Sequence, residues 1–164
     1  MTTMDHAAVR RNIHRGAMFQ LPMILLWGII PGYVGGFKWD KMVNFGMKLD
    51  WASGVHLVGI LIMVTSMVRI YRNPSEARLI TTDLFALTRH PMYHGMFIAL
   101  CATFFYADLR DPIFWSLWAL FMVLILTAGR FQEKETLARW GKEAEDYYAR
   151  TPRFVFEWLW FRQR

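Results

Sequence analysis

Residues Pro112 to Gly129 read PIFWSLWALFMVLILTAG, a run of 18 residues without a charged side chain. A helix needs about 20 predominantly apolar residues to cross the hydrocarbon core of a bilayer, so this run is a candidate for such a helix. Trp115 and Trp118 lie near its start, and aromatic side chains favour the membrane–water interface. The run therefore predicts a membrane-spanning helix in an integral membrane protein of the all-α class.

Three further apolar blocks precede this run in the chain. They are Ala17–Phe37, Trp51–Tyr71 and Met92–Tyr106. The first block contains Pro22 and Pro31 and ends in a glycine-rich stretch, which predicts a kinked or frayed helix. The loop Ala107–Asp111 is short, so the third and fourth blocks predict a helical hairpin. The chain is therefore expected to have about four transmembrane helices.

The composition fits a single membrane-embedded domain over residues 1–164. Hydrophobic residues make up 55% of the chain and charged residues 20%, and the mean hydropathy is +0.20. In a soluble protein, the net charge of +6 would direct attention to nucleic acid. Beside apolar blocks, it favours cationic flanks that contact anionic lipid headgroups. We therefore expect membrane lipids, and no nucleic acid, among the partners.

The Lys and Arg residues are distributed unevenly among the segments between the blocks. The N-terminal segment, the loop between the second and third blocks, and the C-terminal tail together hold 15 of the 19. Cytoplasmic loops of membrane proteins carry an excess of Lys and Arg. The pattern predicts that both termini lie on the cytoplasmic side of an inner or plasma membrane.

The C-terminal tail has the pattern of a cytoplasmic amphipathic helix from Phe131 to Arg150, followed by the interfacial segment TPRFVFEWLWF. Side chains that recur every three or four residues share a helix face. The apolar face consists of Glu133, Leu137, Trp140, Ala144 and Tyr147, and the face expected to be solvated consists of Glu135, Arg139, Lys142 and Asp146. An unpaired carboxylate on the apolar face is costly so close to a membrane. Glu133 is therefore expected to pair with Arg130, with Lys134 or with a ligand.

The segment TRHPMYHG, Thr88 to Gly95, places titratable side chains where the second loop meets the third block. Proline is favoured at the first position of a helix, so Pro91 marks the start of block three, with His90 near the N-cap. A helix N-terminus offers free N–H groups and a partial positive charge, to which Arg89 and His90 add. The segment therefore suits an anion such as a carboxylate or a phosphate.

Other side chains extend this set, and each has a structural alternative. Tyr93 offers an aromatic face, which attracts cations but also suits the membrane interface. Gly95 allows close approach of a ligand or of a neighbouring helix. His56 is either functional or a packing histidine. His90 and His94 have an i, i+4 spacing that metal or haem ligands use, but no third ligand is evident and no metal is expected.

Two segments resemble the signatures of the isoprenylcysteine carboxyl methyltransferase family, which is related to the phospholipid N-methyltransferases. The first is LITTDLFALTRHPMYHG, residues 79–95, which is similar to T-x-G-[PIL]-[YF] followed by R-H-P-x-Y-x-G. The second is similar to the family's C-terminal pattern and consists of Gln132-Glu133, Leu137, Trp140-Gly141, Tyr147 and Arg150–Phe154. Three positions depart from the family pattern, since Asp83 replaces a glycine, Gln132 a glutamate and Ala144 a tyrosine. The resemblance covers residues 79–154.

The resemblance implies a membrane methyltransferase that uses S-adenosylmethionine and methylates a lipophilic small molecule or lipid at the cytoplasmic face. The acceptor group is a carboxylate, a thiol or an amine. The cofactor pocket would then be lined by Arg89, His90, Pro91, Tyr93, Gly95, Glu133 and Tyr147. The candidate catalytic residues are His90 and Glu133, as bases for a thiol or an amine, and Arg153, near the entrance for acceptor or cofactor.

Two other functions fit parts of the sequence. Membrane double-bond reductases related to the sterol reductases look similar in their C-terminal helices but use NADPH, whose additional phosphate calls for further basic residues in the pocket. A small membrane subunit that binds haem or a partner helix would be non-catalytic. A search for NADPH oxidation or for a haem absorbance band distinguishes these functions from methyl transfer.

Overall fold

The computed structural model describes residues 21–34, 51–72 and 78–154, and every regular element within these ranges is helical. The predicted all-helical class is confirmed for this part of the chain. The helices are α1 (Leu21–Val34), α2 (Trp51–Arg72), α3 (Leu84–Leu87), α4 (Pro91–Cys101, continued by a 3-10 helix over Ala102–Phe105), α5 (Pro112–Trp140) and α6 (Lys142–Arg150). The basic N-terminal segment, the lysines after the first block and the interfacial segment beyond Phe154 lie outside the described residues.

Two of the described helices, α2 and α5, are long and apolar enough to cross a membrane. They correspond to the second and fourth apolar blocks of the sequence. The described parts of the other two blocks form apolar helices that are shorter, α1 and α4 with its 3-10 extension. Two candidate spans are therefore shown, and the topology with four spans stays a prediction.

Helix α2 buries a narrow stripe of small side chains and exposes most of its apolar surface. Its buried residues, Ala52, Gly59 and Ser66, are spaced seven apart, which places them on one side of the helix. Its exposed apolar side chains include Leu57, Val58, Leu61, Val64 and Met67. Water is an unfavourable neighbour for so large an apolar surface, whereas lipid chains are a favourable one. The exposed side of α2 is therefore consistent with membrane association.

Helix α4 lies at the centre of the fold. It begins at Pro91 with His90 as the N-cap residue, as the sequence predicts, and most of its side chains are buried. Its neighbour α2 presents His56, whose Nδ1–H donates to the carbonyl of Ala99 at 3.0 Å and whose ring stacks on Trp27. His56 thus packs one helix against another, which agrees with the structural alternative considered for it.

Helices α4 and α5 form the predicted hairpin, and aromatic side chains fill the space between them. Phe97 meets the Trp118 ring at 5.8 Å, and Phe104 meets the Phe114 ring at 5.5 Å. Later residues of α4 thus meet earlier residues of α5, as antiparallel neighbours require. Asp111 begins α5 by accepting a hydrogen bond from the N–H of Ile113 at 2.9 Å, with Pro112 at the first helical position.

The predicted tail helix is divided into two parts in the structure. Helix α5 continues without interruption from the apolar block to Trp140, so the first half of the tail extends the apolar helix. The chain then turns at Gly141, which has φ 51° and ψ −122°, before α6 begins. The apolar side chains keep their helical spacing across this turn. For this reason the sequence pattern predicts a single helix. The apolar part of α5 is residues 112–129, and its polar end begins at Arg130.

Glycine residues allow α2 and α4 to cross with their backbones in contact. A Cβ atom added to Gly59 would lie 2.6 Å from the carbonyl oxygen of Gly95, and one added to Gly95 would lie 2.6 Å from the carbonyl oxygen of Gly59. Both distances are shorter than van der Waals contact, and backbone atoms cannot rotate away. The neighbouring helix, rather than a ligand, therefore occupies the space that Gly95 leaves open.

We expect Gly95→Ala to lower the free energy of unfolding by about 2 kcal/mol or more, because the new methyl group forces the two backbones apart. The measurement is thermal unfolding of detergent-purified protein. Gly54→Ala is the matched control, since it also lies on a helix but has open space around the added Cβ. Equal melting temperatures for the two variants would contradict the close crossing.

Candidate functional site

The two sequence signatures lie side by side in the structure. The backbone N–H of Arg89 donates to the carbonyl of Pro152 at 3.1 Å, and the Thr88 hydroxyl donates to the carbonyl of Arg153 at 2.7 Å. The loop before α4 is thus bonded to the segment after α6, more than sixty residues away along the chain. The polar end of α5 lies between them and supplies the carboxylate that both arginines contact.

Glu133 forms ion pairs with two arginines, one from each signature. Its Oε1 accepts from Arg89 Nη1 at 3.0 Å and from Arg153 Nε at 2.8 Å. Its Oε2 accepts from Arg153 Nη2. The carboxylate is buried, with 8% of its side chain exposed. The expectation that Glu133 has a partner is therefore met by Arg89 and Arg153 rather than by Arg130 or Lys134.

Arg89 is held in one orientation by several acceptors. Besides its ion pair with Glu133, its Nε donates to the carbonyl of Thr151 at 2.6 Å and its Nη2 to that of Tyr148 at 2.8 Å. The guanidinium carbon also lies 4.4 Å from the centre of the Tyr148 ring, within the range of a cation–π interaction. A guanidinium bound in this way keeps a fixed position when a ligand approaches.

The environment of Glu133 favours its ionised form. Burial raises the pKa of this carboxyl group, but the proximity of His90 and the hydrogen bonds from Arg153 outweigh burial and lower the pKa from 4.5 to about 2. A carboxylate with so low a pKa is a weak general base at neutral pH. Its position suits electrostatic support of the two arginines better than proton transfer.

His90 is the buried imidazole next to this cluster. Its Nε2 lies 3.5 Å from Glu133 Oε1 but makes no hydrogen bond. The ring stacks on that of Tyr93 at 5.5 Å and lies over Gly129, where an added Cβ would come within 3.3 Å of Nε2. A buried nitrogen without a hydrogen bond is costly in a folded protein. The nitrogen faces the Glu133 carboxylate and is closed to solvent.

A cavity of about 270 Å³ opens beside Arg89 and His90. The end of α2, the loop before α3, the polar end of α5 and helix α6 surround it. The polar and aromatic lining residues are Arg78, Phe85, Arg89, His90, Gln132, Glu135, Thr136, Arg139, Trp140, Tyr147 and Tyr148. The volume is just below the range of about 300–1,000 Å³ that is usual for small-molecule sites.

The structure places the predicted site residues at different distances from this cavity. Arg89, His90 and Tyr147 line it, and the Tyr147 hydroxyl donates to the carbonyl of Phe85 at 2.7 Å. Burial raises the pKa of Tyr147, and the nearby Tyr148 raises it further. Glu133 and Arg153 lie in the ion-pair cluster behind Arg89.

Besides Glu133, three predicted cofactor residues are not among those that line the cavity. Pro91 is buried in the first turn of α4. Tyr93 is 1% exposed and packs against His90, and Gly95 contacts α2. These three residues hold α4 and the His90 ring in place, so their contribution to the site is to position it.

Several cavity residues were missed by the sequence reasoning. Glu135 and Arg139 were assigned to the solvated face of the tail helix, but both are half-buried and line the cavity. The loop before α3 lines the same cavity, and helix periodicity contains no information about such a loop. The signal that was present is the spacing of Glu135 and Arg139, which places a carboxylate and a guanidinium one turn apart.

Asp83, which stands where the family pattern has glycine, adopts a glycine-like backbone. Its φ is 59° and its ψ is −129°, close to the values of 51° and −122° at Gly141. Residues with a Cβ rarely adopt this combination because of steric clash. The Asp83 carboxylate forms an exposed ion pair with Arg69 at 3.0 Å. Such an exposed pair contributes little stability to compensate for the strain.

We expect Asp83→Gly to be more stable than Asp83→Ala by about 1 kcal/mol, because both variants lose the ion pair but only glycine relieves the backbone strain. Thermal unfolding of the two variants measures this difference. If the alanine variant were the more stable of the two, the backbone at this position would not be strained.

Lowering the pH should reduce the stability of the protein through Glu133. Its folded-state pKa of about 2 lies below the ordinary value of 4.5. The stabilisation is therefore complete above pH 4.5 and is lost as the pH falls through the folded-state value. We expect Glu133→Gln to be less stable than the wild type by on the order of 3 kcal/mol at neutral pH.

Thermal unfolding of the wild type and of Glu133→Gln from pH 7 to pH 2 tests whether the ionised Glu133 is the source of this stability difference. The other carboxyl groups titrate equally in the two proteins, so their effect cancels in the comparison. The difference between wild type and Glu133→Gln should become smaller towards pH 2. A constant difference over the whole range would show that the ion pairs of Glu133 are not its source.

Comparisons with protein-family models, with curated proteins and with solved structures find no match to this chain. Within the described residues, no group of three or more His, Cys, Asp or Glu side chains is placed to hold a metal ion. The family resemblance of the two signatures stays a prediction, and the chemistry of the site is read from its own residues.

Proposed function

We propose that the protein is a membrane-associated methyltransferase that uses S-adenosylmethionine to methylate a lipophilic acceptor. One observation carries the proposal. Residues of both signatures, which are distant in sequence, meet at one cavity, where Arg89 and His90 come from the first and Tyr147 from the second. A resemblance limited to local sequence would not require these residues to share a site.

The residues around the cavity fit the groups of this cofactor. Arg89 offers a guanidinium to the amino-acid carboxylate, and Trp140 and Phe85 offer aromatic surface to the adenine ring. S-adenosylmethionine supplies a methyl group on a positively charged sulfur, which reacts by direct displacement and needs no metal.

The contribution of the protein to such a reaction is orientation and exclusion of water. Glu133 and Arg153 hold Arg89 and the loop before α4 in a fixed geometry. For a thiol or amine acceptor, His90 is the better candidate for the base, because the pKa of Glu133 is about 2. For a carboxylate acceptor no base is required.

The surroundings of the site support a lipophilic acceptor. The cavity lies at the polar end of α5, next to the last turn of α2, and these are the two described helices that are long and apolar enough to cross a membrane. An acceptor with an apolar chain can reach such a position from the bilayer. The four-span topology and the cytoplasmic location of both termini belong to this proposal.

The proposal is tested by calorimetric titration of the detergent-purified full chain with S-adenosylhomocysteine. We expect micromolar binding to the wild type and a loss of at least tenfold in Arg89→Gln, since this side chain lines the cavity. Arg130→Gln is the matched control, because Arg130 is exposed at the same end of α5. Absence of binding to folded wild-type protein would exclude the methyltransferase.

A second candidate, an NADPH-dependent membrane reductase, is favoured by one observation. Arg78 and Arg139 line the same cavity as Arg89, and the additional phosphate of NADPH requires such basic residues. Titration with NADPH under the same conditions distinguishes the two functions. Binding of NADPH without binding of S-adenosylhomocysteine would assign the cavity to a reductase.

A further inference from the structure

The cavity contains a carboxylate that neither signature includes. Glu135 lies on α5 two residues beyond Glu133, and it is the one acidic side chain among the described residues that line the cavity. The two carboxylates point to different sides of the helix, since two residues correspond to about 200° of rotation. Glu133 faces the arginine cluster, and Glu135 faces the cavity.

Glu133 has little capacity left to bind a ligand. A carboxylate has about four acceptor sites, and Glu133 uses three of them for Arg89 and Arg153. The His90 ring occupies the space beside Oε1. A ligand that used Glu133 would first have to break a buried ion pair, which is costly.

Glu135 is less occupied by protein groups. Its ionic partner is Arg139 one turn later, at 3.8 Å, which is longer than a hydrogen bond. Its side chain is 24% exposed, against 8% for Glu133. Acceptor sites of Glu135 are therefore accessible from the cavity without the loss of a strong contact.

The charge of the cavity indicates what kind of donor would approach Glu135. Three guanidinium groups, those of Arg78, Arg89 and Arg139, line the cavity together with this single carboxylate. A further cationic group at Glu135 itself would be repelled by Arg139, which lies 3.8 Å from this carboxylate. Neutral hydroxyl groups are favoured, because they donate hydrogen bonds to the carboxylate without adding positive charge. The indole of Trp140 lines the same cavity. It offers an aromatic surface to a ligand that carries a ring next to its hydroxyl groups.

We infer that Glu135 binds the ribose hydroxyl groups of the nucleoside part of the ligand, and that Glu133 is a positioning residue that holds Arg89 and Arg153. This inference rests on the proposed function for the nature of the ligand. An acidic side chain that accepts from ribose hydroxyls is a common solution in nucleotide sites of other folds. Here Glu135 is assigned to the ligand because Arg89 and Arg153 already bind Glu133.

Titration of the full chain with two nucleosides tests the assignment. Both compounds contain adenine and ribose. S-adenosylhomocysteine also carries an amino acid with its ammonium group, which 5′-methylthioadenosine lacks. We expect Glu135→Gln to weaken the binding of both by about 10- to 100-fold, the effect of losing hydrogen bonds to a charged acceptor. Glu143→Gln, at an exposed position of α6, should leave both affinities unchanged.

Each other result has a separate meaning. If Glu135→Gln weakened S-adenosylhomocysteine alone, the carboxylate would contact the ammonium and the ribose assignment would be wrong. If neither affinity changed while the wild type bound both, the role of Glu135 would be excluded and the proposed function would stand. If the wild type bound neither, the proposed function would fail, and the inference with it.

The positioning role of Glu133 has its own readout. Without any ligand, Glu133→Gln should lower the melting temperature, whereas Glu135→Gln should leave it unchanged. The reverse order would assign the structural role to Glu135 and overturn the inference. Because this measurement needs no nucleoside, it separates the arrangement of the carboxylates from the identity of the ligand.

Discussion

A buried carboxylate between two guanidinium groups joins three parts of the chain that are distant in sequence. Glu133 is 44 residues from Arg89 and 20 residues from Arg153, and it bonds to both. Without it, both arginines would lose their ion pair with a buried carboxylate, next to an apolar region where a charge is costly. The loop before α4, the polar end of α5 and the segment after α6 must therefore assemble together. Two of these segments, the loop before α4 and the polar end of α5, line the cavity.

The same contact explains why two carboxylates so close in sequence have different tasks. The energy of an ion pair with two arginines is available only to the carboxylate that faces them, and this is Glu133. Glu135, on the other side of the helix, keeps its acceptor sites for another group. A site that is arranged before a ligand arrives loses less entropy on binding, because its side chains are already ordered. The protein thus separates the residue that organises the site from the residue that faces the cavity.

The sequence predicts individual helices and local requirements well, and long-range partners poorly. Pro91 starts a helix by a local steric rule, and Glu133 needs a partner by a local energetic one, so both could be foreseen. The choice of Arg89 and Arg153 as its partners depends on how distant segments pack, about which helix periodicity says nothing. Helix periodicity predicts a solvated position for Glu135 and Arg139 for the same reason, since the loop that shares their cavity comes from elsewhere in the chain. Gly141 interrupts the tail by its backbone angles while the spacing of the apolar side chains continues, so this spacing predicts one helix where the structure has two.

The crossing of α2 and α4 at Gly59 and Gly95 has a consequence for motion. Backbones in direct contact cannot slide or rotate against each other without steric overlap, so these two helices move as a rigid frame. Any rearrangement that admits a ligand must therefore leave this crossing intact. The crossing also fixes the start of α4 relative to α2, and with it His90, which lies at the N-terminus of that helix.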